Sequence, residues 1–464
     1  MVVLVSHVGG FTNTLLHQNS KSSSALLLKM TKKQTVAVIG GGIAGLSCAT
    51  ALQKSGNYST VTVFDTGRLR PGGRCSSRLP SDKAKEDAIN YKLLSNTAIV
   101  DHAAQILTVP PGFTHFAQQV KEWEAQGIVK QFEQETVFEI VCQDPVFRLR
   151  ALNDGPNVRM FHGVNGMGAI PLTMSKGINI QQDVWVSPSN GVKYGSNQWK
   201  VQGNGKVLGM FDKLVIAHNG KCADRLMSQT PATELHKLLQ VNFSPEVPPW
   251  GGKKMTLNSI YSLTFALNKK GSPLSQALDN EKFICGFVKN QPNLRFLSCN
   301  TRKYYPQERD DIEIWTVLSS AKFAKKYKGP QENLPDSVVE EVIGLLLTSL
   351  EQSLNLLEGT LRGPIESSAG TGIILEHRLQ LWGAGVPLNT WKASGDGASG
   401  FLYDAEHGVG TCGDWLLDPS IAGAWESGRR LAEYMNSNPQ ANVGLEGRFI
   451  ASKEVGKVGI GSLK

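Results

Sequence analysis

The residues of this chain best suited to chemistry are glycines, two acids and an arginine, gathered in two groups far apart in the sequence. The first group lies in TVAVIGGGIAGLSCATALQKSGNYSTVTVFDTGRLRPGGRCSSR (35–78), where Gly40-x-Gly42-x-x-Gly45 follows the apolar run Val36 to Ile39 and opens a helical pattern. A strand, a glycine turn and a helix in that order can hold a pyrophosphate. Gly40 permits the turn, Gly42 lets backbone approach the ligand, and Gly45 clears space where helix and strand pack. The first-turn amides, Ile43 and Ala44 among them, then face the phosphates with the positive end of the helix dipole. Asp65 follows the next strand (Val61 to Phe64), 20 residues after Gly45, where a ribose-binding acid belongs. A glycine turn alone is common; here strand, spacing and acid agree.

Pro71-Gly72-Gly73-Arg74 comes directly after that acid. A simple nicotinamide site has no use for such a loop. A long, two-headed cofactor such as FAD does, because Gly72 and Gly73 can bring backbone N–H groups, and Arg74 a guanidinium, beside the phosphates or the flavin. In isolation the same loop reads as a polar surface turn. The second group is Thr411-Cys412-Gly413-Asp414-Trp415, followed by Asp418-Pro419-Ser420-Ile421-Ala422-Gly423-Ala424-Trp425-Glu426-Ser427-Gly428. Asp418 is expected to cap a helix with Pro419 in its first turn. Ala422, Gly423, Ala424 and Gly428 keep that helix thin enough for a planar ring to approach, and its N-terminus beside Ile421 can stabilise negative charge on a reduced flavin. Asp414 is suited to accept a ribityl hydroxyl, or to meet the pyrophosphate through water. Alone, this segment is also a plain capped helix.

Taken together these motifs resemble the flavin amine oxidase superfamily, and within it the renalase-like branch with its plant members, over about residues 34 to 436. The resemblance implies an α/β fold: a Rossmann-like FAD-binding domain with an inserted α+β substrate domain. It divides the chain into FAD-binding segments 34–105, 158–230 and 395–438, and substrate segments 106–157 and 231–394. It further implies that Gln105, ending the segment Ile99 to Gln105, faces the flavin region, and that the backbone near Val184 meets the adenine side. In VRMFHGVNGMGAIPLTM (158–174) a Gly-Met turn begins a short helix, and the strand in LVIAHNG (214–220) returns beside the cofactor. Trp315, His377 and Trp382 resemble substrate-domain positions of that branch. Some amine oxidases attach flavin to a cysteine upstream of the C-terminal glycine motif; none lies between Cys299 and Cys412 here, so the FAD is expected to be non-covalent.

A chain of 464 residues exceeds the usual size of one core, so two domains are expected. The net charge of +8 includes four lysines in residues 1–33, which contain no acid and no arginine, leaving +4 for the rest. No dense basic stripe marks a nucleic-acid binder. The Ser-rich, acid-free segment 1–33 suits a chloroplast transit peptide, with a mitochondrial one as the alternative. No run approaches the roughly 20 apolar residues of a membrane span, which leaves peripheral membrane contact open. Seven cysteines without CxxC spacing fit a reduced interior and no metal site. Cys48 is placed in the core.

Residues 113–127 read as an amphipathic helix with Phe113, Phe116, Val120 and Trp123 on one face. Strands are expected around Val184 and Val186, around Trp199 to Val201, and from Lys213 to Ala217. Residues 337–357 read as a helix with a Ser337/Glu340 capping box, a stripe from Val339 to Leu357, and Gly359 as its stop. The tail 439–464 reads as disordered.

Flavin performs the chemistry in such a protein, and the chain orients a small-molecule substrate against it. One function class is therefore an FAD-dependent oxidase or dehydrogenase acting on an amine or a dihydronicotinamide, an NAD(P)H-derived substrate among them. A second keeps the fold but takes an apolar plastid substrate, as a desaturase does. A third is a non-catalytic flavoprotein redox sensor. No catalytic acid or base is identified; Lys303, His377 and Trp382 are the substrate-side candidates, and His102 reads as a structural histidine.

Overall fold

The computed structural model describes residues 33–80, 98–143, 146–153, 159–187, 189–279, 282–306, 311–330, 334–361, 373–394, 399–437 and 439–452. The leader expected in residues 1–33 lies outside these apart from Lys33, and so do the last twelve residues of the tail. From Gln34 onward the chain forms one compact unit.

Its first half-core is a six-stranded sheet in the order Asn179–Gln181, Tyr58–Phe64, Gln34–Ile39, Lys213–Ile216, Val409–Thr411, Leu402–Asp404. The first five strands are parallel and the edge strand is antiparallel. The central strands are buried on both faces and so read as continuous apolar runs. Their side chains alternate between two layers. Val36, Val38, Val61, Val63 and Val215 pack on the helices Ile43–Ser55 and Ile421–Asn436. Ala37, Ile39, Phe64, Leu214 and Ile216 pack on a three-stranded meander (Val192–Gly195, Gln198–Gly203, Lys206–Phe211) through Trp199, Val201 and Phe211. The two helices touch backbone to backbone at Gly428, where a Cβ would lie 2.1 Å from the Ala44 carbonyl oxygen.

The second half-core is a seven-stranded, mostly antiparallel sheet: Ile374–Trp382, Ile260–Asn268, Ile312–Ser319, Leu294–Cys299, Cys285–Lys289, Val137–Val141, Arg148–Ala151. Helix Asp336–Ser353 covers one face with Val342, Ile343, Leu346, Leu347 and Leu350. The expected apolar stripe is present, but no capping box forms: Pro335 holds the N-cap position, and the helix begins one residue before Ser337. It also stops at Ser353. Buried Glu351 accepts the Gly359 and Leu361 N–H groups at 3.0 and 2.6 Å and draws the chain back across the helix end. Helix Thr114–Ala125 buries Phe116, Val120 and Trp123.

Three further expectations are corrected. Around Val184 there is no strand; the sheet partner is Asn179–Gln181, and Val186 makes only an isolated bridge to Gly203. Positive φ at Asp183 (55°) ends the strand ahead of it. The tail is not disordered throughout, because Gly447–Ala451 pairs antiparallel with Asn389–Ala393 and buries Phe449 against Trp391 and Trp415. Nor does Asp418 cap the C-terminal helix. Ser420 has extended backbone and its Oγ accepts the Gly423 N–H at 3.1 Å, so Pro419 precedes the helix.

Candidate functional site

The two glycine clusters meet. Strand Gln34–Ile39 ends in Gly40, whose N–H donates to the Phe64 carbonyl at 2.9 Å, and Gly42 bridges Gly72 in parallel. Gly45 is a packing residue, for a Cβ there would lie 1.9 Å from the Gly40 oxygen and 3.0 Å from the Ala217 Cβ. Above Gly42 a Cβ would meet nothing within 4 Å, so the open space at the helix N-terminus lies where phosphate would approach.

Asp65 sits across from that helix start, 7% exposed. Its Oδ1 accepts the Gly41 N–H at 3.2 Å, while Oδ2 is buried with no hydrogen-bond partner. Burial raises its pKa; the nearby amides of Gly41, Gly67 and Thr66 pull the other way without overcoming it. A buried acceptor left open is costly unless a ligand hydroxyl or amide completes it. Gly41, the middle glycine, escaped the motif reading. A Cβ there would fall 2.7 Å from the Asp65 carboxyl carbon, so only glycine lets the acid approach. The run Gly40-Gly41-Gly42 is the signal that could have revealed it.

The cleft continues to the C-terminal motif and encloses about 360 Å³, in the range of small-molecule sites. Gly40, Gly42, Ile43, Ala44, Asp65, Gly72, Gly73, Arg74, Val184, Gly413, Asp414 and Ile421 all line it. Arg74 joins its two ends: Nη1 lies 2.8 Å from Asp414 Oδ2 and donates to the Gly385 carbonyl at 2.7 Å. Gly413 N–H is held by Ser427 Oγ at 2.9 Å, which fixes the turn before helix Ile421–Asn436. That helix presents Ser420, Ile421 and Ala424 to the cleft.

Three expected site residues lie elsewhere. Gly45 and Ala422 are buried in packing beside the cleft, and Ala424, two residues further along, lines it instead of Ala422. Gln105 is also turned away, its Nε2 donating to the Asp101 carbonyl at 2.7 Å and its Oε1 accepting from Lys303 Nζ at 3.0 Å. Ala104 lines the cleft instead. Val184 is in the wall, but its N–H is taken by the Asp65 carbonyl at 2.9 Å.

The substrate-side candidates separate. Trp382 lines the cleft beside Gly383 and Ala384 and stacks on His102 with ring centroids 5.5 Å apart. Burial, with help from Arg78, lowers the His102 pKa to about 4 against the pull of Asp101, so the imidazole is neutral. His377 stands on a strand opposite Phe265 and is not part of the cleft wall. Trp315 is wholly buried and donates to Glu313 at 3.1 Å. Lys303 is buried with Asp101 at 2.8 Å. Burial would raise the Asp101 carboxyl pKa, but Lys303, Ser77 and Tyr304 outweigh it and hold it low. Lining residues that sequence reasoning missed are Trp185, His218 and Asn219, set by the loop after Asn179–Gln181 and the end of strand Lys213–Ile216. All seven cysteines are free thiols; Cys75 and Cys412 line the cleft, and Cys48 is in the core as expected. Among the described residues no group of His, Cys, Asp and Glu could hold a metal, and no helix is long and apolar enough to cross a membrane.

The arrangement can hold an extended anionic ligand: amides for phosphate at one helix start, a carboxylate for hydroxyls, a bound arginine midway, and a second helix start at the far end. Comparison with known proteins agrees with this geometry. Residues 38–122 match the family described as NAD(P)-binding Rossmann-like domain. In fold the chain is similar to a reduced UDP-galactopyranose mutase (TM-score 0.54, 10% identity, covering 89% of this chain and 97% of that one). It is also similar to a protein from Exiguobacterium sp. 255-15 described as a protoporphyrinogen oxidase (TM-score 0.53, 9% identity, 88% and 99%). A third is a putrescine oxidase bound to putrescine (TM-score 0.50, 14% identity, 87% and 99%). At these identities the likeness is one of fold: an α/β chain with a Rossmann-like dinucleotide domain and an inserted α+β portion.

Proposed function

We propose that this chain is an FAD-dependent oxidoreductase of the renalase-like, amine oxidase type, holding its flavin without a covalent bond and acting on a small molecule in the chloroplast. The observation that carries the cofactor reading is the buried, unpartnered Asp65 Oδ2 in a glycine-lined cleft that runs on, through Arg74, to the start of a second helix. A mononucleotide fills one end of such a cleft; FAD spans both. Gly42, Ile43 and Ala44 would take the phosphates, Asp65 the adenosine ribose, Arg74 and Asp414 the middle, and Gly413 with Ile421 the ring. Bound there, the flavin would accept hydride at N5 from a C–H beside nitrogen, in an amine or a dihydronicotinamide, and pass its electrons to oxygen or a quinone.

The chain's own part is binding and orientation. The start of helix Ile421–Asn436 offers its positive end to charge developing on the ring. Trp382, backed by the neutral His102, gives the cleft a flat apolar wall. Hydride loss from a neutral amine or a dihydropyridine needs no dedicated base, so none is assigned. The solved structures of similar fold described as oxidases support an oxidoreductase, and the acid-free leader supports the plastid.

Purified protein should release FAD on denaturation, and its flavin absorbance should bleach anaerobically with amines or dihydronicotinamide isomers but not with polyenes. Absence of any copurifying or reconstitutable flavin sinks the reading; bleaching by polyenes alone moves the substrate to the apolar class. A leader fusion that enters mitochondria and not chloroplasts overturns the location.

A further inference from the structure

Beside the cleft lies a lysine-rich face with an indole at its tip. The loop 244–254 joins strands Val241–Phe243 and Met255–Leu257, and carries Glu246, Pro248, Pro249, Trp250, Lys253 and Lys254. Trp250 is 60% exposed on a turn closed by the Gly251 N–H to the Pro248 carbonyl at 2.8 Å. That turn is pinned from below, since the Gly251 carbonyl accepts from Asn389 and a Cβ on Gly251 would strike the Phe449 oxygen at 2.2 Å. The indole is thus held outward by a fixed base.

Helix Ala321–Lys326 and the residues after it lie against this loop. Lys322 pairs with Glu246 at 3.1 Å, Lys325 donates to the Phe243 carbonyl at 3.4 Å, and Lys328 lies 3.9 Å over the Phe243 ring. Phe243 in turn touches the cleft rim, for the Gly220 Cβ position lies 4.0 Å from its ring and 3.4 Å from Ala384.

We infer that this face docks on an anionic lipid bilayer, with Trp250 at headgroup depth, the lysines on lipid phosphates, and the Ala384 rim of the cleft beside the membrane. Three features favour lipid over an acidic protein. The cations are all lysines, with no arginine in 241–254 or 321–330. Protein interfaces instead enrich arginine and deplete lysine. A lone exposed Trp among lysines is the pattern of a residue that sits between acyl chain and headgroup. And Lys253 and Lys254 on the loop and Lys322, Lys325 and Lys328 on or after the helix are all exposed, as attraction to a charged surface requires. This inference does not depend on flavin.

The full chain should float with phosphatidylcholine vesicles containing one third phosphatidylglycerol, remain behind with phosphatidylcholine alone, and be released by high salt. Lys325→Glu with Lys328→Glu should lower partitioning about 100-fold or more, as expected for reversing two charges near such a surface. Trp250→Ala should weaken binding at every salt concentration and remove the blue shift of indole emission seen on adding vesicles. All three positions are exposed, so unchanged melting and unchanged far-ultraviolet circular dichroism verify that the variants fold. Failure of the wild type to float, equal flotation of the variants, or binding to polyglutamate without binding to vesicles overturns the inference.

Discussion

Asp65 shows how one side chain is made into a binding group by its surroundings. Its position after an apolar strand is local, but its open Oδ2 depends on Gly41 in the facing turn and on the loop of Thr66 and Gly67. Asp65→Ala should weaken FAD binding about 10- to 100-fold, the cost of losing hydrogen bonds to a charged acceptor. Fluorescence titration of the apoprotein reads this directly, and FMN, which lacks the adenosine, should bind the variant and the parent alike. A half-buried and a buried histidine, His102 and His162, set a second expectation at this scale. His102 and His162 are both held neutral, each with its pKa lowered to about 4, chiefly by burial. The unfolded chain takes up these protons near pH 6.5, so stability is unaffected above that pH and falls as pH drops toward 4. Each adds on the order of 3 kcal/mol of acid destabilisation at the low end. Urea melts between pH 7 and 4 should show the loss, and a flat profile would refute it.

At the scale of elements, the cradle depends on two helices crossing closely enough to aim both their N-termini at one cleft. Gly428 makes that crossing possible, since its Cβ position is 2.1 Å from the Ala44 oxygen and 2.9 Å from the Cys48 nitrogen. Gly428→Ala must push helix Ile421–Asn436 away from helix Ile43–Ser55, backbone against backbone. Overpacking of this kind costs about 1–3 kcal/mol, and flavin affinity should fall together with melting temperature. Flavin affinity at the parental value would show that the crossing does not govern the cleft.

At the scale of the whole molecule, Asp101 ties the segments around Ser77 and Met167 to the seven-stranded sheet and the helix beside it. Its carboxylate is held by Lys303 Nζ at 2.8 Å, Ser77 Oγ at 2.5 Å and the Met167 N–H at 2.9 Å, and also by the Tyr304 hydroxyl. Its carbonyl accepts from Gln105 and Thr316. The partners come from segments far apart in the chain, so the buried pair holds those segments together. Lys303→Met leaves an unpaired buried charge and should cost about 3–5 kcal/mol. Adding Asp101→Asn should restore part of that loss, which denaturant midpoints of the three variants can measure. A double variant no better than the single one would remove the pair from this role.

Much of the cleft wall was legible in sequence because its parts are local. Gly40, Gly42, Gly72, Gly73 and Arg74 fall within 35 residues, with spacings that reflect a strand, a turn and a helix start. Gly413 and Ile421 were legible for the same reason. The capping of helices was less so: Asp418 and Ser420 are both good caps, and the folded chain gives the cap to Ser420, whose Oγ accepts the Gly423 N–H. Gln105 could not be placed from its neighbours, because its two partners include Lys303, 198 positions away. Trp185 and His218 entered the cleft wall only when separate segments were folded together; Trp382, a substrate-side candidate in sequence, joined them there while His377 and Lys303 did not. Local backbone chemistry determined the strand, the glycine turn and the helix start that open the cleft. Long-range packing and pairing of buried charges decided which side chains form the rest of the wall, since those depend on neighbours that no spacing along the chain records.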